Sequence, residues 1–232
     1  MDPNELIKAA PELTKAVATL VAGLPIGDIV KRICGPPADL LGDRLKGRVE
    51  RCFEKTVQMT QEAGFTPQAV PPKLLFPILR GASVEEDEDL HTMWAALLAN
   101  AASPENADVV RPGFLAILQQ MAPDEAAMLN WIYDCHGQGM RNVDPSGASV
   151  SGLAICLDGL EASQLIRRSD GNPSEVRWAV GIKSGKISEP LQGATLPQSR
   201  AAVYADRADK TYLLTDRGRA FVEACRAPKP KP

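Results

Sequence analysis

Between Val70 and Trp131 the chain alternates apolar helical blocks with sharp breaks. Lys73-Leu-Leu-Phe-Pro-Ile-Leu-Arg80 is followed by Gly81-Ala-Ser83, five acids (Glu85, Glu86, Asp87, Glu88, Asp89), Met93-Trp-Ala-Ala-Leu-Leu-Ala-Asn-Ala-Ala102, and the run from Phe114 to Met121. A block this rich in Ala and anchored by one Trp packs against other helices rather than facing water. The pattern therefore calls for several short helices around a shared core.

The first 120 residues read almost throughout as helix. Pro11 suits the first turn of a helix to about Ala22, and Gly23 and Pro25 interrupt it. Pro36 and Pro37 open the longest helix, in which Leu41, Leu45, Val49, Cys52, Met59 and Ala63 recur at helical spacings, and Gly64 stops it. One buried stripe needs a partner helix, from the same chain or from a second copy of it. Pro71 and Pro72 start the next helix, which is expected to close at Gly81. Ser83 and Glu86 then read as a capping box, with the following acids in a first turn favoured by the helix dipole. Pro123-Asp124-Glu125 opens a further helix, ended by Gly137 and Gly139.

Beyond residue 147 the period changes. Ser149 or Ser151 can cap a helix through Leu153 and Leu160. Gln164 to Arg168 and Thr211 to Leu214 are strand-like, and Val176, Trp178, Val180 and Ile182 alternate as in a half-buried strand. Thr215 and Asp216 cap a last helix through Phe221. The expected fold is mainly α: an N-terminal helical bundle (1–120), then a winged-helix-like α+β module with an extended hairpin (121–226) and an unstructured end (227–232). Residues 183–200 are long for a wing tip and suit a mobile or binding loop.

With 232 residues, 44% of them hydrophobic and 24% charged, a sizeable core and a soluble protein are expected. Cys34, Cys52, Cys135, Cys156 and Cys225 lack any CxxC pairing and read as reduced, mostly buried thiols in the cytoplasm. The uncharged stretch 16–27 falls short of the about 20 apolar residues a spanning helix needs, and it reads as core rather than as a membrane-perturbing segment. No secretory signal is expected either.

Charge is uneven. Residues 83–134 hold ten acids against one base, net −9, and residues 165–232 hold thirteen bases against seven acids, net +6. The acidic middle repels nucleic acid, so a phosphate backbone would have to meet the basic end. Contacts to a nucleic acid or another partner are expected, if anywhere, at Arg177, Lys183, Lys186, Arg200, Arg207 and Lys210. The helix over 152–163, placed where a winged helix reads the groove, carries Asp158 and Glu161 and no base, which argues against groove reading.

Candidate chemistry has plainer readings throughout. His91 beside Glu88 and Asp89 lacks a second histidine one turn on and reads as a solvated helix end. Asp134-Cys135-His136 are sequence neighbours at a helix end, whereas real Cys-His pairs usually converge from distant segments. Gly181-Ile-Lys-Ser-Gly-Lys-Ile187 is one residue short of a phosphate loop and reads as a hairpin turn. Gly147 to Gly152 lacks nucleophile-elbow spacing. No catalytic residue, metal or cofactor is assigned, and enzymatic function is disfavoured.

Several segments in order resemble the abortive infection alpha family: Gly35-Pro36 with Leu41-Gly42-Asp43, Pro72 to Ser83, Trp94-Ala95 with Leu97-Leu98-Ala99-Asn100, and Leu213-Leu-Thr-Asp-Arg-Gly218 before Phe221. The chain departs from that pattern at Ala122, where a capping serine is expected, and in the extended hairpin between Arg168 and Tyr212. The resemblance implies a bacterial protein of anti-phage defence, and it implies no reaction. The expected role is a non-enzymatic defence protein acting through contacts with a protein partner or phage component. The other reading is a DNA-associated winged-helix regulator using the basic hairpin.

Overall fold

The computed structural model describes residues 11–22, 28–29, 32–33, 40–137, 150–168, 179–183, 186–187 and 211–229. The chain divides into two compact units, residues 1–120 with 224–232, and residues 121–223.

The first unit holds α1 (Pro11–Leu20), α2 (Leu40–Glu62), α3 (Pro72–Val84), α4 (Glu88–Ala101), a 3-10 turn (Ala107–Val109) and α5 (Pro112–Gln120). Helix α4 is the centre: α2 and α3 both pack on it, α1 lies on α2, and α5 lies on α3. From Met93 to Ala101 every α4 side chain is buried, as the Ala-rich block requires. On α2 and just past its end the expected stripe is buried at Val49, Cys52 and Ala63, while Leu45 and Met59 are half-buried and the side chain of Leu41 lies outside the described residues. The buried face also takes in Phe53, Thr56, Val57 and Thr60, so it is broader and more polar than apolar periodicity alone indicates. Gly64 ends α2 at φ +74°, a conformation that suits glycine. The segment after it is pinned by Gln68 N–H to the Ala102 carbonyl (2.8 Å) and Val70 N–H to the Leu20 carbonyl (3.0 Å).

Two expected boundaries are corrected here. Helix α3 does not close at Gly81 but continues to Val84. Gly81 lies inside the helix, and a Cβ there would fall 2.4 Å from the Trp94 ring, so the glycine makes room for α4. Ser83 and Glu86 therefore form no capping box: Ser83 Oγ donates to the Arg80 carbonyl (2.8 Å) within α3. The cap of α4 is Asp87, whose Oδ1 accepts from the N–H groups of Asp89 and Leu90, both at 3.0 Å. Asp caps as well as Ser does, and the tertiary contact decides which residue is free to do so.

The second unit contains α6 (Pro123–Gly137), α7 (Val150–Ala162), β1 (Ile166–Arg168), β2 (Ala179–Lys183), β3 (Lys186–Ile187), β4 (Thr211–Leu214) and α8 (Asp216–Ala224), the last residue of which groups with the first unit. The strands are ordered β1-β4-β2-β3 and every pairing is antiparallel. Ile166 faces Leu214, Val180 faces Tyr212, and Ile182 faces Ile187. The glycine-lysine stretch 181–187 is thus part of a hairpin, with Lys183 opposite Lys186. Helix α8 comes so close to the start of β1 that a Cβ on Gly218 would lie 2.1 Å from the Leu165 carbonyl oxygen.

Residues 175–178 of the expected strand and the hairpin extension over 188–210 lie outside the described residues, as do the Ser149 cap and the first half of the 147–152 stretch. Of the end expected to be unstructured, residues 227–229 are described, with Pro228 buried.

Candidate functional site

Arg48, Arg51 and Lys55 recur at three to four residues along α2 and so share a face. Arg48 Nη2 meets Glu86 Oε1 at 2.8 Å, and its Nη1 is 3.5 Å from the Ser83 carbonyl. Lys55 Nζ donates to Glu88 Oε1 (2.5 Å) and Thr92 Oγ1 (2.8 Å), and Arg51 stands 3.9 Å from the other Glu88 oxygen. The acid burst is therefore met by cations from α2. The hydrogen bond from Lys55 is the main reason the Glu88 carboxyl is held below its ordinary range. Glu86 and Glu88 are 83% and 67% exposed, so each pair contributes at most about 1 kcal/mol.

Beneath this ionic edge, Thr56 Oγ1 donates to the Cys52 carbonyl (2.7 Å) and lies 3.2 Å from the Ala95 carbonyl. His91 is not the solvated helix end that its acidic neighbours suggest, because it is only 3% exposed. Glu88 and Asp89 face water, but position 91 turns toward α2, with Nε2 3.0 Å from the Arg48 carbonyl. A carbonyl only accepts, so Nε2 carries the proton. Nδ1 is then a bare acceptor, and among the described residues this atom and Trp94 Nε1 are buried without a hydrogen-bond partner. Burial pushes the His91 pKa down, the bond to the Arg48 carbonyl opposes this, and Lys55 adds to it.

In the second unit Cys156 Sγ donates to Asp124 Oδ2 at 3.0 Å, joining α7 to α6. Burial first, and then the hydrogen bond to Asp124, push this thiol up to about 12, so it stays protonated. Where a capping serine is expected before Pro123, Glu125 Oε2 reaches back to accept the Ala122 N–H at 2.9 Å. One half of a capping box thus operates without its serine. The two acids of α7 turn to one cation: Arg168 on β1 lies 3.3 Å from Asp158 and 2.8 Å from Glu161. Ile155 on the same helix is 70% exposed.

The last helix is held by side chains at both ends. At its start Thr215 Oγ1 accepts the Gly218 N–H (2.9 Å) and sits 2.7 Å and 3.0 Å from the Gln164 and Leu165 carbonyls, fastening the cap to the turn after α7. At its finish the buried Asn100 Nδ2 donates to the carbonyls of Ala224 (2.9 Å) and Arg226 (2.8 Å), with Ala96 O at 3.1 Å. Its Oδ1 accepts from Asn106 Nδ2 at 3.3 Å.

Among the expected contact residues, Arg177, Arg200, Arg207 and Lys210 lie outside the described residues; Lys183 and Lys186 are placed by their backbone alone, opposite each other across β2 and β3. Asp134 is exposed on α6, and the side chains of Cys135 and His136 lie outside the described residues. Cys52, Cys156 and Cys225 are free and buried. Among the described residues, no group of three or more metal-ligating side chains converges, and no helix is long and apolar enough to cross a membrane.

The model of one protein family, described as abortive infection alpha, matches residues 45–225. The chain belongs to that family. No curated protein and no solved structure matches it. The abortive infection alpha match takes in both halves of the last helix's support, Asn100 and the Leu213-Leu-Thr-Asp-Arg-Gly218 segment. It also takes in the Gly81 and Trp94 contact between α3 and α4. In this member of the family, those segments are where helices are capped and brought to close approach.

Proposed function

We propose that this member of the abortive infection alpha family is a non-enzymatic cytoplasmic protein of bacterial anti-phage defence, acting through contacts with a protein of the host or the phage. The family match over residues 45–225 carries the reading, since it joins the chain to abortive infection at the family level. The chemistry of the described residues agrees with a role that makes no covalent demands. The thiols of Cys52 and Cys156 are pushed up to about 12 and that of Cys225 is raised by burial, so none offers a thiolate at neutral pH. The imidazole of His91 is committed through Nε2 to a main-chain carbonyl.

Residues 121–226 are read as a winged-helix-like module, on the order helix, helix, strand, hairpin, strand, helix. Its second helix presents Ile155 together with acids already paired to Arg168, a surface suited to protein rather than to phosphate.

The test is efficiency of plating for a phage panel on a bacterial host expressing the chain, scored together with survival of infected cells. Fewer plaques accompanied by death of the infected cells is the expected result. Normal plating across a broad panel would overturn the defence reading.

A further inference from the structure

Helix α3 is packed by α2, α4 and α5, yet one stripe of it stays uncovered. Lys73, Pro77, Arg80 and Val84, at spacings of four, three and four, are all exposed, Val84 by 57%. Those spacings place the four side chains on one face of the helix. Beside them Phe76 is half-buried, with the Arg32 guanidinium 5.6 Å from the centre of its ring. Cations thus flank a narrow apolar strip.

The two lysine and arginine groups of this stripe lack anions of their own. On α2, Arg48, Arg51 and Lys55 are met by Glu86 and Glu88. Neither Lys73 nor Arg80 has an ion pair among the described residues. The acids next along the chain are committed elsewhere: Glu85 Oε1 accepts the N–H groups of Glu86 and Asp87, at 2.9 and 3.0 Å, and Glu86 takes Arg48. Pro77 leaves a further acceptor, since it has no N–H to give the Lys73 carbonyl. The stripe therefore calls for carboxylates, an apolar contact and an N–H donor, which a peptide brings together. A long polyanion fits poorly. Phosphates bring no donor for the carbonyl, and a duplex or a charged bilayer extending past Val84 would meet the acids from Glu85 to Asp89.

We propose that the outer face of α3, from Lys73 to Val84, docks a short acidic segment of a partner protein. Lys73 and Arg80 take two carboxylates, and Pro77 and Val84 take an apolar side chain between them. Lys73 and Arg80 are two helical turns, about 10 Å, apart. A polyproline II segment brings residues i and i+3 to one side with a separation of about 9 Å, so acids at that spacing match the two cations. The surface rests, for its purpose, on the protein-contact role proposed above. Phage plating tests the role and the titration below tests the surface, so each can fail without the other.

The experiment is an NMR titration of the isotope-labelled full-length protein at low salt. The probe is a synthetic peptide, blocked at both ends, with two glutamates three residues apart around a proline and a valine. Saturable amide shifts confined to α3 are the expected result. The double variant Lys73→Gln, Arg80→Gln changes exposed side chains only, and it is expected to weaken binding about 3- to 30-fold. The same peptide with glutamines in place of the glutamates is expected to leave the wild-type spectrum unchanged. That comparison decides in the wild type alone if the double variant fails to fold. Absence of shifts on α3, or equal shifts with the glutamine peptide, would overturn the proposal. Tighter binding of α3 to a duplex DNA fragment or to phosphatidylglycerol vesicles would overturn it in favour of a polyanion. Self-association that disappears in the double variant would overturn it in favour of a second copy of the chain.

Discussion

The two units settle their acids in different ways. In the first, Glu86 and Glu88 are met by Arg48 and Lys55 from positions 38 and 33 residues earlier; in the second, Asp158 is met by Arg168, ten residues on. The first kind of pair exists only once α2 and α4 have come together. The second can form within one short stretch of chain. Yet both are solvent-exposed, so neither supplies much stability, and each unit must draw its order from contacts that carry no charge. Beside the buried apolar side chains of each, these include the close approach of Gly81 to Trp94 in one and of Gly218 to Leu165 in the other.

The largest effects are therefore expected at the two glycines. Gly81→Ala forces a methyl group into the Trp94 ring, and Gly218→Ala forces one against the Leu165 main chain; each should cost about 3 kcal/mol. Hydrogen exchange should show the first loss in peptides of α3 and α4 and the second in those of β1, β4 and α8. If either substitution weakened both units equally, the contrast between two separately ordered regions would collapse.

Next in size is the cap of the last helix. Thr215→Val removes the acceptor for Gly218 N–H and the donor to the turn after α7. It should cost about 1 to 2 kcal/mol in denaturant unfolding. A value near zero would mean that α8 is held by burial alone.

Acid should weaken the first unit before the second. The folded-state pKa of His91 lies below its ordinary 6.5, so the unfolded chain binds more protons as the pH drops. The stability contributed by neutral His91 is complete above pH 6.5 and is lost as pH falls from there through the lowered folded value. Glu88, also lowered, adds the same trend below its ordinary 4.5. His91→Gln should flatten the upper part of that profile, followed by hydrogen exchange in α2 and α4 between pH 7.5 and 5. A wild-type profile equally steep in the variant would remove His91 as the cause.

The smallest effect separates the two kinds of ion pair. A double-mutant cycle with Lys55→Met and Glu88→Gln should give a coupling of about 0.5 kcal/mol that shrinks with added salt. The Arg168→Met and Glu161→Gln cycle should give no more. A clearly larger coupling for the local pair would invert the comparison.

Much of the helical order is legible in the sequence because its signals are local. Proline at the starts of α1, α3 and α6, Gly64 at a helix stop, the Ala-rich block and the Thr215 cap each depend on a few adjacent residues, and each is found where it is expected, whereas Pro36 and Pro37, expected to open the longest helix, lie outside the described residues. The failures share a cause. Ser83 satisfies a capping pattern as well as Asp87 does, and nothing adjacent in sequence shows that α3 runs past Gly81 to Val84 with that glycine against Trp94. His91 looks solvated from its acidic neighbours, but burial is decided by an α2 carbonyl 43 residues earlier. The role of Asn100 had no local signal beyond an amide inside an Ala-rich helix, because its partners lie 124 and 126 residues away.

That last separation sets a delay during synthesis. A ribosome adds roughly 5 to 20 residues each second, so Asn100 emerges roughly 6 to 25 seconds before the carbonyls it will bind. Throughout that interval the amide at the end of α4 waits in a chain whose second unit is still being made. The contacts of that amide are thus timed by the arrival of residues 224–226, long after α2, α3 and α4 have emerged.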